Sequence, residues 1–471
     1  LQQWSVQGSV GPIPDRHLIA LSDSKVTPMD RRQFILRSGH VLGATALLSG
    51  LGQMRVAEAA DYKALVCVFL FGGNDGNNTL IPLDSQGYGQ YAAIRPASSN
   101  VNIPQANWLQ INAAGKSFGL HPSLSGIQTL YNQSRLAWVA NVGTLVQPTT
   151  RAQFLANKTP VPSNLFSHAD QQYQWQTATT SASPSPSGWG GRLADQIAPV
   201  FNAGSTFPIL TNMSGVTIFT RGLSAGVISP GPSALQGFGS GAADQARYGA
   251  LRGIESLNSG YSLINALNGL TGGGIDATNQ LNKSLASQAP LTTSFPGSSL
   301  GNQLKSVANI IASRGALGNS RQIFFCAING FDTHTNQLST QANLLSDLDA
   351  SLKAFHDATV ELGVENAVTT FTHSDFGRTF QPTAGGGSDH AWGSHHLVMG
   401  GSVRGGNLYG QYPQLQLAGP DDADNEGRWV PSTGVCEFVY PLIRWFGATN
   451  IQEVLPHLAN FNLSRTDLSF L

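Results

Sequence analysis

Charge is scarce in this chain: 26 Lys and Arg against 27 Asp and Glu make up only 11% of 471 residues and cancel to a formal −1. Without a basic excess there is no electrostatic footprint for nucleic acid, and without an acidic one there is none for cationic partners, so the expected partner is a small molecule. Cysteine is scarce too. Cys67, Cys326 and Cys436 form no CxxC pair, which argues against a thiolate zinc site, and Cys67 and Cys326 lie inside apolar runs as buried thiols rather than disulfide partners. The loop GGNDGNN at 72–78 lacks both the Lys-Ser/Thr of a P-loop and the GxGxxG spacing of a dinucleotide fold. After residue 60 no apolar run is long enough to cross a bilayer, so no permanent membrane span is expected.

What is present begins with an address. From Met29 the chain reads MDRRQFILRSGHVLGATALLSG, with Arg31 and Arg32 ahead of a short stretch rich in Gly and Ala, and Val56 to Ala60 supply the small residues of an A-x-A-like cleavage site. This pattern predicts a twin-arginine signal peptide over 29–60, cut near Asp61, with the translocation machinery as a partner and the periplasm or the exterior as destination. Residues 1–28 read as a misplaced gene start or a disordered leader, and 61–471 as one domain. A surface solvated by Ser, Thr, Asn and Gln suits an exported protein.

Four apolar runs read as buried strands: 64–71, 136–142, 323–328 and 367–372. Helical patterns at 123–132, 303–313 and 340–362 each precede one of the last three. Strands alternating with helices imply a mostly parallel sheet covered on both faces, an α/β fold with ligands outside the carboxyl ends of its strands. Between about 214 and 299 the composition turns to Gly, Ser, Ala, Leu and Asn, a mainly helical insertion.

The chemistry is concentrated after those strands. NGFDTHTNQ (329–337), THSDFGRT (372–379) and SDHAWGSHHLVMGG (388–401) together hold three Asp and five His, the ligand types of divalent-metal hydrolases. Asp332 and His334 are two apart, so in extended backbone they point the same way and can share an ion; the competing reading is a turn cap and a histidine on a carbonyl. Asp375 precedes Arg378, which suits either an anionic substrate or a plain salt bridge. Asp389 and His390 follow a run of glycines whose flexibility would let both turn inward, and of the adjacent His395 and His396 only one can face a site. Asp75 closes the first strand. Ser167 begins a helix, where it is either an N-cap or a nucleophile favoured by the positive end of the helix dipole.

Taken together, FGGNDGNNT, SHADQQ, GFDTHTNQ, SDFGRT, SDHAWGSHH, RWVPST and RWFG, with the export signal, resemble the uncharacterised family called domain of unknown function fifteen-oh-one, over essentially Asp61 to Asn462. That family looks like a branch of the alkaline phosphatase and sulfatase superfamily. The resemblance implies a three-layer α/β/α sandwich with two metal ions, Asp75 as a first-strand ligand, Ser167 as nucleophile and Asp332 with His334 on one ion. Asp375 would serve the other ion, where the family usually has Glu, and His390 would complete the first. Asp389 and His395 are further candidate ligands, for ions of zinc, calcium or manganese type. The function expected is an exported metal-dependent hydrolase of phosphate or sulfate esters, using Ser167 or a metal-bound water, with Arg378 holding a small anionic ester. The alternatives are a non-catalytic metal-binding surface or assembly protein and a His/carboxylate metal oxidoreductase.

Overall fold

The computed structural model describes residues 61–180, 185–230, 241–462 and 468–471; the expected leader at 1–28 and export signal at 29–60 lie outside them. The main sheet is built from β1 (Lys63–Phe71), β2 (Leu136–Gly143), β3 (Leu210–Asn212), β4 (Val227–Ile228), β5 (Arg321–Asn329) and β6 (Val368–Ser374). After a small hairpin of β7 (Arg378–Pro382) and β8 (Ser388–His390) the chain returns to it with β9 (Ser394–Met399), β10 (Leu408–Tyr409) and β11 (Thr433–Gly434). The strand order is β10-β2-β9-β6-β1-β5-β3-β4, with β11 pairing β2. All neighbours are parallel except β9, which runs against both β2 and β6.

β1 shows why the sheet lies in the middle. Its register with β5 and β6 is unbroken, and its side chains alternate between two cores: Ala64, Val66, Val68 and Leu70 on one face, Leu65, Cys67 and Phe69 on the other. The first face is covered by α1 (Ser125–Asn132), α6 (Ser299–Ala312) and α7 (Gln337–Glu361), whose Leu345, Leu348, Leu352 and Phe355 fall on one helical stripe. The second is covered by α2 (His168–Thr177), α3 (Trp189–Phe201) and α8 (Val435–Phe446), through Trp175, Trp189, Leu193, Phe438 and Leu442. This is a three-layer α/β/α sandwich. Within the stretch read as an insertion lie α4 (Ala242–Glu255) and the 25-residue α5 (Ser262–Ala286).

The cysteines are all free and buried. Cys67 belongs to one face of the sheet and Cys326 to the other, so the sheet itself separates their sulfurs. No helix among the described residues is long and apolar enough to cross a membrane.

Candidate metal centre

Three loops leave the carboxyl ends of adjacent strands β6, β1 and β5, and close packing draws them together. Gly72, just after β1, has φ +113°, and a Cβ there would lie 2.3 Å from the backbone nitrogen of Asp332. Only glycine permits that approach, which sets the β1 loop against the loop that carries Asp332 and His334. The β7–β8 hairpin supplies the fourth side. Its glycines are pinned rather than flexible: Gln337 donates to Gly386 O at 2.9 Å, Ser388 to Thr333 O at 3.1 Å, and a Cβ on Gly387 would meet the His334 carbonyl carbon at 2.2 Å. The run is glycine because the hairpin packs on the Asp332–His334 loop.

This framework brings together His168, at the first turn of α2, with Asp332, His334 and His390. His168, Asp332 and His390 offer ligand atoms within 4.8 Å of one another. His334 Nε2 is 2.9 Å from Asp332 Oδ1 and 3.0 Å from His390 Nε2, while His390 Nε2 is 3.3 Å from the same Oδ1 and His168 Nε2 is 3.4 Å from Oδ2. Each imidazole is also held from behind. His168 Nδ1 faces Asp375 Oδ2 at 2.6 Å, His334 Nδ1 faces Asp389 Oδ1 at 2.8 Å, and His390 Nδ1 faces the Phe166 carbonyl at 2.8 Å. An acceptor behind each Nδ1 assigns the hydrogen to Nδ1, so in the neutral rings all three Nε2 atoms point lone pairs at one carboxylate.

Lone pairs facing a carboxylate at these distances repel one another unless a cation lies among them. Protonation is one answer, favoured at His168, where the hydrogen bond to Asp375 raises the pKa against the opposing effect of burial. At His390 burial dominates and lowers it. Burial also pushes the Asp332 carboxyl up, but the Arg378 hydrogen bond and charge, with His334 and His168, outweigh it and hold the group below the usual carboxylate range. His168 Nε2 is buried and has no hydrogen-bond partner. A divalent ion would answer all of these at once: His168, Asp332 and His390 would hold it, with His334 beside them, and imidazole and carboxylate are donors it accepts. A His/Asp site able to hold a metal is therefore present.

The remaining sequence candidates occupy other places. Asp375 is fully buried and reaches the centre only through His168; its Oδ2 also accepts from Gln172 Nε2 at 2.7 Å, and its Oδ1 has no partner. Asp389 stands behind His334. The Asp75 carboxylate is enclosed by Arg95 at 2.6 Å, Gln337 and the Asn77 N–H, and these bonds hold it apart from the His/Asp group. His395 is buried and stacked on Tyr412, with Nδ1 accepting from Asn141 N at 3.2 Å; burial lowers its pKa to about 3.

Arg378, expected to hold an anion, is wholly buried. Its guanidinium donates to Gly72 O, Ser388 O and Asp332 Oδ1, so it positions Asp332 and ties the hairpin to the β1 loop. Ser167 stands at the N-cap position of α2, but its hydroxyl caps no backbone N–H; it donates to Asp170 Oδ2 at 2.6 Å. The turn before it is unusual, with Asn164 at φ +49° and Phe166 at φ +71°. That backbone turns the Phe166 carbonyl onto His390.

His168 is the member that the sequence pattern alone did not single out. The available signal was its place beside Ser167 at a helix start, in a helix with no apolar stripe.

A comparison with curated proteins finds no match. Among solved structures the chain is similar to Ps i-CgsB in complex with k-i-k-neocarrahexaose, at 10% identity and a TM-score of 0.34, covering 86% of this chain and 77% of that one. It is also similar to the lipoteichoic acid synthase LtaP from Listeria monocytogenes (9% identity, TM-score 0.31, 80% and 76% covered) and to the PsFucS1 sulfatase from Pseudoalteromonas sp. (8%, 0.32, 90% and 73%). Residues 62–423 match the family described as Protein of unknown function (DUF1501), and the chain belongs to that family.

Proposed function

We propose that this protein is an exported, metal-dependent hydrolase of phosphate or sulfate esters. The observation that carries the reading is the convergence of His168, His334 and His390 Nε2 on Asp332 at a place open to solvent, where the Asp332 and His334 side chains are 45% and 42% exposed. A buried structural ion would be closed off; this one could be reached by substrate. His168, His334, His390 and Asp332 would hold it, and when bound it supplies Lewis acidity toward an ester oxygen. A divalent ion on one carboxylate and three neutral imidazoles keeps net positive charge, and the amino end of α2 adds to it, so an anionic ester is the substrate class that fits.

The chain's own residues then have distinct tasks. Arg378 fixes Asp332, Asp375 fixes His168 and Asp389 fixes His334. Ser167 Oγ would form the bond to phosphorus or sulfur as its proton passes to Asp170 Oδ2, the acceptor of its hydrogen bond. The ester bond breaks, the leaving alcohol takes a proton from solvent, and water later releases the anion from Ser167.

A panel of phosphate and sulfate esters, run on metal-loaded Ser167→Ala, tests this. Turnover should vanish while the ion is retained. The stability cost should fall below the about 0.5–2 kcal/mol of a lost helix cap, because no backbone cap bond exists to lose. Turnover at the wild-type rate would remove Ser167 from the mechanism.

The same donor set accepts iron or copper, which keeps a metal oxidoreductase as the second reading; elemental analysis of the purified protein separates the two. The export part rests on the 29–60 sequence. Changing Arg31 and Arg32 together to Lys should leave the protein in the cytoplasm, and normal export of that variant would end the twin-arginine reading.

A further inference from the structure

The α4–α5 helix pair carries a surface that the metal centre does not explain. Its stem is solvated in the ordinary way: Arg247 pairs with Asp244 at 3.0 Å, and Arg252 bridges Glu255 and Asp276. Its tip is the opposite. Between Glu255 and Asp276 the chain contains no charged residue, in contrast to the charged stem on either side. Within and beside that stretch Ile254, Leu257, Tyr261, Leu263, Leu267 and Leu270 are exposed, Leu263 by 82% and Leu270 by 75%. No residue of α5 before Gly272 is buried, whereas Gly272, Ala277, Leu281 and Ser284 are, so the amino-terminal turns project beyond the body of the fold.

Leu263, Leu267 and Leu270 fall at i, i+4 and i+7, on one face of α5, the pattern of a helix that packs on another helix. Nothing among the described residues covers that face. Large exposed apolar patches mark interaction sites, and depletion of charge is the mark of homodimer interfaces.

We infer that this face is the contact between two copies of the chain, α5 packing antiparallel on its counterpart about a two-fold axis. Charge decides the occupant. An isologous contact sets the patch against its own copy, so charge of one sign on it would be repelled across the two-fold axis, and an uncharged stripe avoids that cost. A bilayer surface is less well matched, because helices that lie on membranes carry Lys and Arg on their polar face and this segment carries none. Six large side chains with the backbone between them approach the about 800 Å² per partner of a standard interface.

Sedimentation equilibrium of the mature chain should give twice the monomer mass, and Leu263→Glu with Leu267→Glu should halve it. Leu223→Glu, at another exposed leucine off the tip, should leave the mass unchanged. Because the three native cysteines are buried, Leu267→Cys places one accessible thiol near the middle of the stripe, and mild oxidation should link two chains. A native chain that is monomeric at all concentrations overturns the inference, as does a dimer that survives the double Glu change. Binding of the native monomer to phosphatidylcholine–phosphatidylglycerol vesicles, lost on the same change, would assign the face to lipid instead.

Discussion

His168→Ala should strip the protein of its divalent ion. Native protein equilibrated with zinc or manganese should hold about one ion per chain, and removal of one of four donors from an exposed centre should leave no site that survives desalting. Asp332→Ala should do the same, with the added effect of freeing the buried Arg378 guanidinium from its carboxylate. The residues behind the rings give a graded result: Asp375→Asn should weaken binding about 10–100-fold, because the partner that orients a metal-bound imidazole contributes on that scale. His395→Phe should leave the stoichiometry at one, since that ring packs on Tyr412. Metal analysis by mass spectrometry and competition with a chelating dye supply both readouts. Full metal retention in His168→Ala would sink the four-donor centre.

The largest loss of stability should come from Asp75→Ala. Asp75 and Arg95 form an ion pair at 2.6 Å with both side chains fully buried, and the guanidinium also donates to Asn78 Oδ1, Phe380 O and Thr379 O. Removing the carboxylate leaves the arginine charge buried without its counter-ion, which costs about 3–5 kcal/mol. Urea unfolding should show the midpoint fall accordingly, while the ion content of the folded fraction stays near one. Loss of the ion with little loss of stability would instead make Asp75 a ligand, as the superfamily resemblance implies. Arg95→Met combined with Asp75→Ala should recover part of the stability, because an apolar pair can replace a buried ion pair at little cost.

Some of this was legible in advance. The runs at 64–71, 136–142, 323–328 and 367–372 correspond to strands of the central sheet, the last starting one residue later at Val368, with polar ends such as Arg321 and Ser374 continuing the ladder. A strand buried on both faces is mostly apolar, and that shows in one dimension even where, as in β6 (VTTFTHS), threonines share the run. The clustering of Asp332, His334, Asp389 and His390 was equally visible, because their loops follow or adjoin those strands.

His168 was hidden for a physical reason. Helix α2 reads HADQQYQWQT, with no apolar stripe, yet Gln171, Gln174 and Gln176 are buried, with Gln171 Nε2 donating to Thr144 Oγ1 and Gln174 Nε2 to the Ser163 carbonyl. A helix that buries amides instead of leucines looks exposed in sequence. Arg378 misled in the opposite direction, since charge beside Asp375 suggested a substrate contact and burial made it a brace.

By itself, then, the order of residues determined the layers and the cysteine chemistry, because burial on two faces and the absence of paired thiols are properties of composition and short-range pattern. It also determined which residue types gather at the strand ends. Only the tertiary structure decided which of them share a centre. Which nitrogen of each histidine is free depends on the acceptor behind the ring, and those acceptors come from elsewhere in the chain: Asp375 stands 207 residues from His168, Asp389 stands 55 from His334, and Phe166 stands 224 from His390. Spacing along the chain carries no record of such pairings; the packing of α2 and the β7–β8 hairpin against the sheet creates them.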